Sequence, residues 1–201
     1  MRLLVTPASP YARKARAAVI ELGLEDRVET VMVPIRLPQQ AKPDVEAVNP
    51  LGKIPALQLD DGSVVVDSPV IVAYLNELAG GDLIPSGAEK WRVLTMEALA
   101  DGIMDAGFVL RMEQLKDEAK RDRAEVDAYA GKIARTLDQL ERRPVWARGS
   151  FHLGQLALAC AIDWLRFRDL VPDPLPGHPR IARMIAEVSQ RPSLAATRPT
   201  T

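Results

Sequence analysis

Ser9, Pro10 and Tyr11 place a hydroxyl, and then a residue with no amide hydrogen, where an apolar run gives way to helical spacing. A strand-to-helix turn of this kind gathers first-turn N–H groups and the positive end of the helix dipole, so it stabilises an anion. The same residues also read as an ordinary helix start, with Ser9 as N-cap and Pro10 at the first helical position. Both readings can hold at once. Arg13, Lys14 and Arg16 follow within two turns, where cations oppose the dipole; either a nearby anion offsets them or they form a solvated face.

A second group is Asn49-Pro50-Leu51-Gly52-Lys53-Ile54-Pro55-Ala56-Leu57. Proline has no N–H for a β-ladder, so Pro55 belongs at the start or edge of a strand. A cis Ile54-Pro55 bond would turn the backbone N–H and carbonyl of Ile54 outward, ready to pair with an extended peptide. The third group is Asp67-Ser68, a carboxylate and a hydroxyl ahead of Pro69, where Ser68 reads as N-cap. A zwitterionic head fits there, its ammonium on Asp67 and its carboxylate on the helix end.

The elements that must hold these groups follow from spacing. Leu3 to Thr6 is β-compatible, Pro10 to Leu22 has helical period, Gly23 suits the C′ position, and Val28 to Val33 is a second strand. After a polar, proline-containing connection, Ile54 to Leu59 and Ser63 to Val66 flank Asp60-Asp61-Gly62, a hairpin turn, and a helix follows Ser68. Residues 1–78 therefore read as βαβ then ββα. Gly80, Gly81, Pro85, Ser86 and Gly87 punctuate 79–88, a linker. Beyond it, helices are expected over about Glu89 to Leu115, Arg123 to Arg142, Leu153 to Phe167 and Pro179 to Gln190, so 89–201 reads as an all-helical domain. The charge run from Lys116 to Glu125 reads as a solvated hairpin tip, and the last ten residues are too polar and proline-rich to demand structure.

Composition narrows the partners. The 201 residues carry a net charge of −1 and 47% hydrophobic content, so the chain can bury a core but offers no cationic excess for nucleic acid. Cys160 is the single cysteine; with only His152 and His178 beside it, neither an internal disulfide nor a structural zinc site is expected. No signal peptide is apparent. Leu153 to Leu165 is interrupted by Gln155 and Asp163 and is shorter than the roughly 20 residues a bilayer crossing requires. A reducing, cytoplasmic location is the expectation, without membrane or metal.

In this order the three groups resemble the glutathione transferase superfamily, over essentially the whole chain. Thr6-Pro7-Ala8-Ser9-Pro10-Tyr11-Ala12-Arg13-Lys14 is similar to that family's first strand-to-helix turn, Asn49 to Pro55 to its cis-proline segment, and Asp67-Ser68 to its γ-glutamyl-binding pair. Glu97 to Ala106 is similar to the first long helix of a small bacterial subgroup, many of whose members have no assigned substrate. The resemblance implies an α/β thioredoxin-like N-terminal domain and an all-α C-terminal bundle, the bacterial serine-type, two-domain cytosolic form. It implies glutathione as co-substrate, with Ser9 donating a hydrogen bond to the sulfur and favouring the thiolate. It further implies that Ile54, held by Pro55, pairs with the cysteinyl unit, while Asp67, Ser68 and Lys53 hold the ends of the tripeptide. The magnitudes allow it: lowering a thiol pKa from about 8.5 to about 6.5 takes roughly 2.7 kcal/mol, and one charge-assisted hydrogen bond supplies about 1.5–3 kcal/mol.

Some residues depart from the family's pattern. Related classes place cysteine at the turn and form a mixed disulfide; Ser9 stands here, and Cys160 reads as a core residue. The first strand has no tyrosine. His152 stands where a Ser or Thr N-cap is usual, with Gln155 able to supply half of a capping box. Glu97, Asp101 and Asp105 repeat on one helix face, which suits solvent, a cleft wall or a subunit interface. The implied activity is conjugation of glutathione to a small electrophile, detoxification by a homodimer being the family habit. Alternatives are a glutathione-binding carrier or interaction protein without turnover, and a glutathione-dependent isomerase or dehalogenase.

Overall fold

A computed structural model describes residues 1–34, 43–144 and 150–200. The elements in chain order are β1 (Arg2–Val5), α1 (Pro10–Glu21), β2 (Glu29–Met32), α2 (Pro43–Glu46), β3 (Ala56–Gln58), β4 (Val64–Val65), α3 (Ser68–Ala79), α4 (Ala88–Gln114), α5 (Arg123–Arg142), α6 (Leu153–Phe167), α7 (Pro179–Val188) and α8 (Pro192–Ala196). They form two compact units, Met1–Ser86 with Arg191–Thr201, and Gly87–Gln190. The connection expected after Val33 lies, over 35–42, outside the described residues.

In the first unit the sheet order is β2-β1-β3-β4. β1 pairs parallel with β2 and antiparallel with β3, which pairs antiparallel with β4. This is the thioredoxin-like arrangement. Leu3, Val5 and Leu57 share a core with Ala12, Ala15 and Val19 of α1 and with Ile71 and Leu75 of α3. α1 stops at a Schellman motif: Gly23 takes φ 62°, Gly23 N–H donates to the Ile20 carbonyl, and Leu24 N–H donates to that of Val19. The β3–β4 turn is tied by Asp61, whose Oδ1 accepts from the backbone N of Ser63 at 2.8 Å and from its Oγ at 2.6 Å.

Two expectations about this unit are corrected. The C-terminal residues do take structure: α8 packs on α1, with Ser193, Leu194 and Thr197 buried. They therefore group with the first unit and not with the helical one. Arg13 and Lys14 are not a solvated face. Both are buried, and Arg13 Nη2 donates to the Leu194 carbonyl at 3.0 Å. At the other end of α1, Glu21 receives Arg191 Nε at 2.8 Å and Nη2 at 2.6 Å, and Ser193 Oγ donates to it as well. Burial works to raise the Glu21 carboxyl, but the hydrogen bonds from Arg191 and Ser193 and the Arg191 charge outweigh it and hold the group below the usual carboxylate range.

The second unit is a helical bundle in which α4 packs on α5 and α6, and α7 on α5 and α6. α6 is buried nearly all round, Cys160 included, as its apolar composition requires. Close approach depends on glycine: a Cβ on Gly107 would lie 2.8 Å from Trp164 Cζ3, and one on Gly154 2.8 Å from Met96 Cβ. The start of α6 is a full capping box. Gln155 N–H donates to His152 Nδ1 at 3.4 Å, and His152 N–H donates to Gln155 Oε1 at 3.1 Å, so an imidazole does the work of a hydroxyl. Burial pushes the His152 pKa down, which suits a ring nitrogen that must accept. The run from Lys116 to Asp122 is exposed, as a hairpin tip should be. Of the three acids on α4, Glu97 is buried, Asp101 half-buried and Asp105 exposed, and each is engaged by a neighbour; solvent alone does not account for that face.

Candidate active site

The register of the sheet brings the three sequence groups to one end. Leu4 pairs with Ala56 and Leu57 with Val65. The exit of β1, the entrance to β3 and the exit of β4 are therefore neighbours. Ser9 follows the first, Ile54-Pro55 precedes the second, and Asp67-Ser68 follows the third.

Ser9 is extended, at φ −88° and ψ 126°, and is the N-cap of α1. Its Oγ accepts from the Ala12 N–H at 3.2 Å, and its carbonyl accepts from the Arg13 N–H at 3.0 Å. Pro10 has no N–H to satisfy. A hydroxyl carries two acceptor sites and one donor; capping uses one acceptor, so the hydrogen remains for another group. Ser9 is half-buried, and the bond it makes as a cap also limits where its Oγ can go.

The Ile54-Pro55 peptide is cis, and Pro55 is buried. Ile54 is half-buried and precedes the first paired residue of β3, Ala56, so its main chain stands outside the ladder. Lys53 is exposed. The loop is organised by Asn49, a residue quoted from the sequence but given no role there. Asn49 is buried, its Nδ2 donates to the Lys53 carbonyl at 2.8 Å, and its Oδ1 accepts from the Leu51 N–H at 3.1 Å. The signal was present in the Asn-Pro pair, because an asparagine side chain bonds to nearby backbone in turns.

At α3 the cap position belongs to Asp67, not to Ser68, which is the first helical residue and is buried. The Val66-Asp67 peptide is cis, which nothing in the sequence announced. The Asp67 carboxylate is exposed and makes no capping bond. The first helical bond runs from the Ile71 N–H to the Asp67 carbonyl at 2.9 Å, and Pro69 has no N–H, so those of Ser68 and Val70 precede the ladder. A carboxylate thus stands beside two helix-end donors, the pairing a zwitterion requires. Among the described residues no group of three or more His, Cys, Asp or Glu could hold a metal, and no helix is long and apolar enough to cross a membrane.

Residues 8–78, which span all three groups, match the family model for the glutathione S-transferase N-terminal domain. An uncharacterised GST-like protein of Escherichia coli, YibF, is 34% identical over 99% of this chain and 98% of its own. The chain belongs to the glutathione transferase superfamily. Within it, the chain is also similar to a glutathione transferase family member from Pseudomonas fluorescens, solved with bound glutathione, at 40% identity, a TM-score of 0.93 and coverage of 100% of this chain and 99% of that one. A second crystal structure described for that organism, with bound S-(propanoic acid)-glutathione, gives a TM-score of 0.88 at 40% identity and covers both chains fully. The fold of this chain, a four-stranded thioredoxin-like unit and a helical one, is thus the one these glutathione transferase family members share.

Proposed function

We propose that this protein is a glutathione transferase that joins the glutathione thiolate to a small electrophile. The observation that carries the proposal is the Ser9 hydroxyl, whose capping bond to Ala12 uses an acceptor site and leaves its hydrogen for a sulfur. In this reading Ser9 donates to the thiolate and favours it over the thiol, the main chain of Ile54 pairs with the cysteinyl unit beside cis Pro55, and Asp67 takes the γ-glutamyl ammonium. The N–H groups of Ser68 and Val70 receive the adjacent carboxylate, and Lys53 the other end of the tripeptide. The sulfur lone pair then becomes the new carbon–sulfur bond; in a substitution the leaving group departs with its bonding pair, and in an addition the π pair of the acceptor moves to the neighbouring carbon, which takes a proton from solvent.

The binding part of the reading is supported by membership of the family and by glutathione in the Pseudomonas fluorescens relative. The adduct held by its counterpart is what addition of a thiolate to a three-carbon unsaturated acid would leave, so such acids belong first in an acceptor panel. A cytoplasmic homodimer serving detoxification in a bacterium is the setting we propose. The test is calorimetric binding of glutathione to the unaltered protein and to Ser9→Ala, with thiolate absorbance followed against pH. A depressed thiol pKa that Ser9→Ala abolishes while sparing affinity supports the transferase; binding without depression or turnover leaves a carrier, turnover on isomerase or dehalogenase substrates alone redirects the chemistry, and no binding removes the reading.

A further inference from the structure

Around the end of α4, the cations that have partners among the described residues are held by carboxylates or by main-chain carbonyls. Lys116 bonds Glu113, Arg166 lies 3.4 Å from Asp173, and Arg121 donates to the carbonyls of Lys116 and Gln114 at 3.2 and 3.0 Å. Arg111 and Arg168 are held near each other with no carboxylate on either, among the described residues. Arg111 Nη1 donates to Gln114 Oε1 at 2.6 Å, and Gln114 Nε2 donates to the Arg168 carbonyl at 3.2 Å, so one amide ties the two arginines together. The Arg168 guanidinium lies 4.6 Å from the ring centre of Phe167 and, among the described residues, has no hydrogen-bond acceptor.

Partial burial, and then the charge of Arg111, both work against the Arg168 cation. Arg168 sits at the C-cap of α6, where the helix dipole welcomes a positive charge, but that accounts for one guanidinium and not for two. Phe108 and Leu115, three residues before and four after Arg111, neighbour it on the helix and are 40% and 43% exposed. Apolar surface therefore borders a pair of uncompensated planar cations.

We propose that Arg111 and Arg168 form an anion-binding site in the helical unit, taking the carboxylate of an organic acid whose apolar body lies against Phe108 and Leu115. Guanidinium forks match a carboxylate, and a bound anion removes the repulsion between them. The site is built from the helical unit alone and stands whether or not the thiolate reading does.

The probe is 3-phenylpropanoate, with 3-phenylpropanamide as its uncharged counterpart, titrated calorimetrically into the full chain at low ionic strength without glutathione. The acid is expected to bind saturably and about tenfold or more tighter than the amide; Arg111→Gln and Arg168→Gln should each weaken the acid by about tenfold and leave the amide unchanged. The Gln114 bond to the Arg168 main chain survives these changes, so Arg111→Gln should leave the thermal midpoint in place and Arg168→Gln should lower it only by what the helix dipole loses. Arg168→Lys, which keeps the charge and loses the fork, should lie between and serves if Arg168→Gln does not fold. Equal binding of acid and amide, no saturable binding of the acid, or full acid affinity in Arg111→Gln and Arg168→Lys overturns the proposal. Glutathione titrated into the same variants should bind as in the unaltered protein, which separates loss of this site from failure at Ser9.

Discussion

At the start of α1, Ser9 closes the helix with its own side chain, whereas at the start of α3 Asp67 holds the equivalent position and leaves its carboxylate out of the cap. In the proposed function the first arrangement makes one oxygen serve fold and chemistry together, since Ala12 takes one acceptor site and the hydrogen stays for the sulfur. The second keeps them apart. Damage at Ser9 should therefore appear in both stability and activity, and damage at Asp67 in ligand binding alone.

The largest expected effect is at Ser9. Ser9→Ala should raise the bound thiol pKa by about 1–2 units, cutting thiolate at neutral pH by roughly three- to twenty-five-fold from a starting pKa of about 6.5, and should also cost about 1 kcal/mol of stability through the lost cap. Ser9→Gly should lose the same thiolate and only a few tenths of a kcal/mol, because glycine is tolerated at N-caps. Thiolate absorbance and denaturant unfolding on both variants would break the comparison if the two losses refused to separate.

Next comes the far end of α1. Glu21→Gln removes a charge-assisted pairing with Arg191, and unfolding in urea should show a loss of roughly 1–3 kcal/mol. The carboxyl is held below its ordinary value, so its contribution is present above the unfolded pKa near 4.5 and disappears as pH falls through the lower folded value. Glu21→Gln should accordingly flatten the acid limb of the thermal midpoint curve.

Asp67→Asn should weaken glutathione by about tenfold while leaving the midpoint of denaturation in place, since the lost charge supports a ligand and not the helix. A midpoint shift comparable to that of Ser9→Ala would show that Asp67 caps α3 after all. The smallest effect is expected at the α6 start. His152 has a lowered folded pKa, so the unfolded chain takes up its proton first as pH falls through about 6.5, and stability declines from there toward the folded value. His152→Ser keeps an acceptor for Gln155 and should remove that slope, visible as a smaller midpoint change between about pH 7.5 and about pH 5.5.

Most of the element order was legible because it is written at short range. Pro10 and Gly23 bracket α1, Asp61-Gly62 turns β3 into β4, and α5 and α6 occupy the spans their apolar spacing marked out, Arg123–Arg142 and Leu153–Phe167. The residues of the candidate site were legible for the same reason, since each belongs to a turn or a helix start with its own local chemistry. The cap register at α3 was not: Asp67 and Ser68 have similar cap propensity, and only the structure shows that Asp67 holds the position, its carbonyl accepting the first helical bond from Ile71.

Sequence alone determined the order of the main strands and helices, which residues carry a hydroxyl or a carboxylate near a helix start, and the family to which that order of groups belongs. Only the tertiary structure decided that Arg13 and Lys14 are buried, that the last residues fold onto α1, and that Arg111 and Arg168 come together. The physical reason is range. Spacing and propensity act over a turn or a strand, while the cost of burying a charge depends on partners such as the Leu194 carbonyl, 181 residues from Arg13 along the chain.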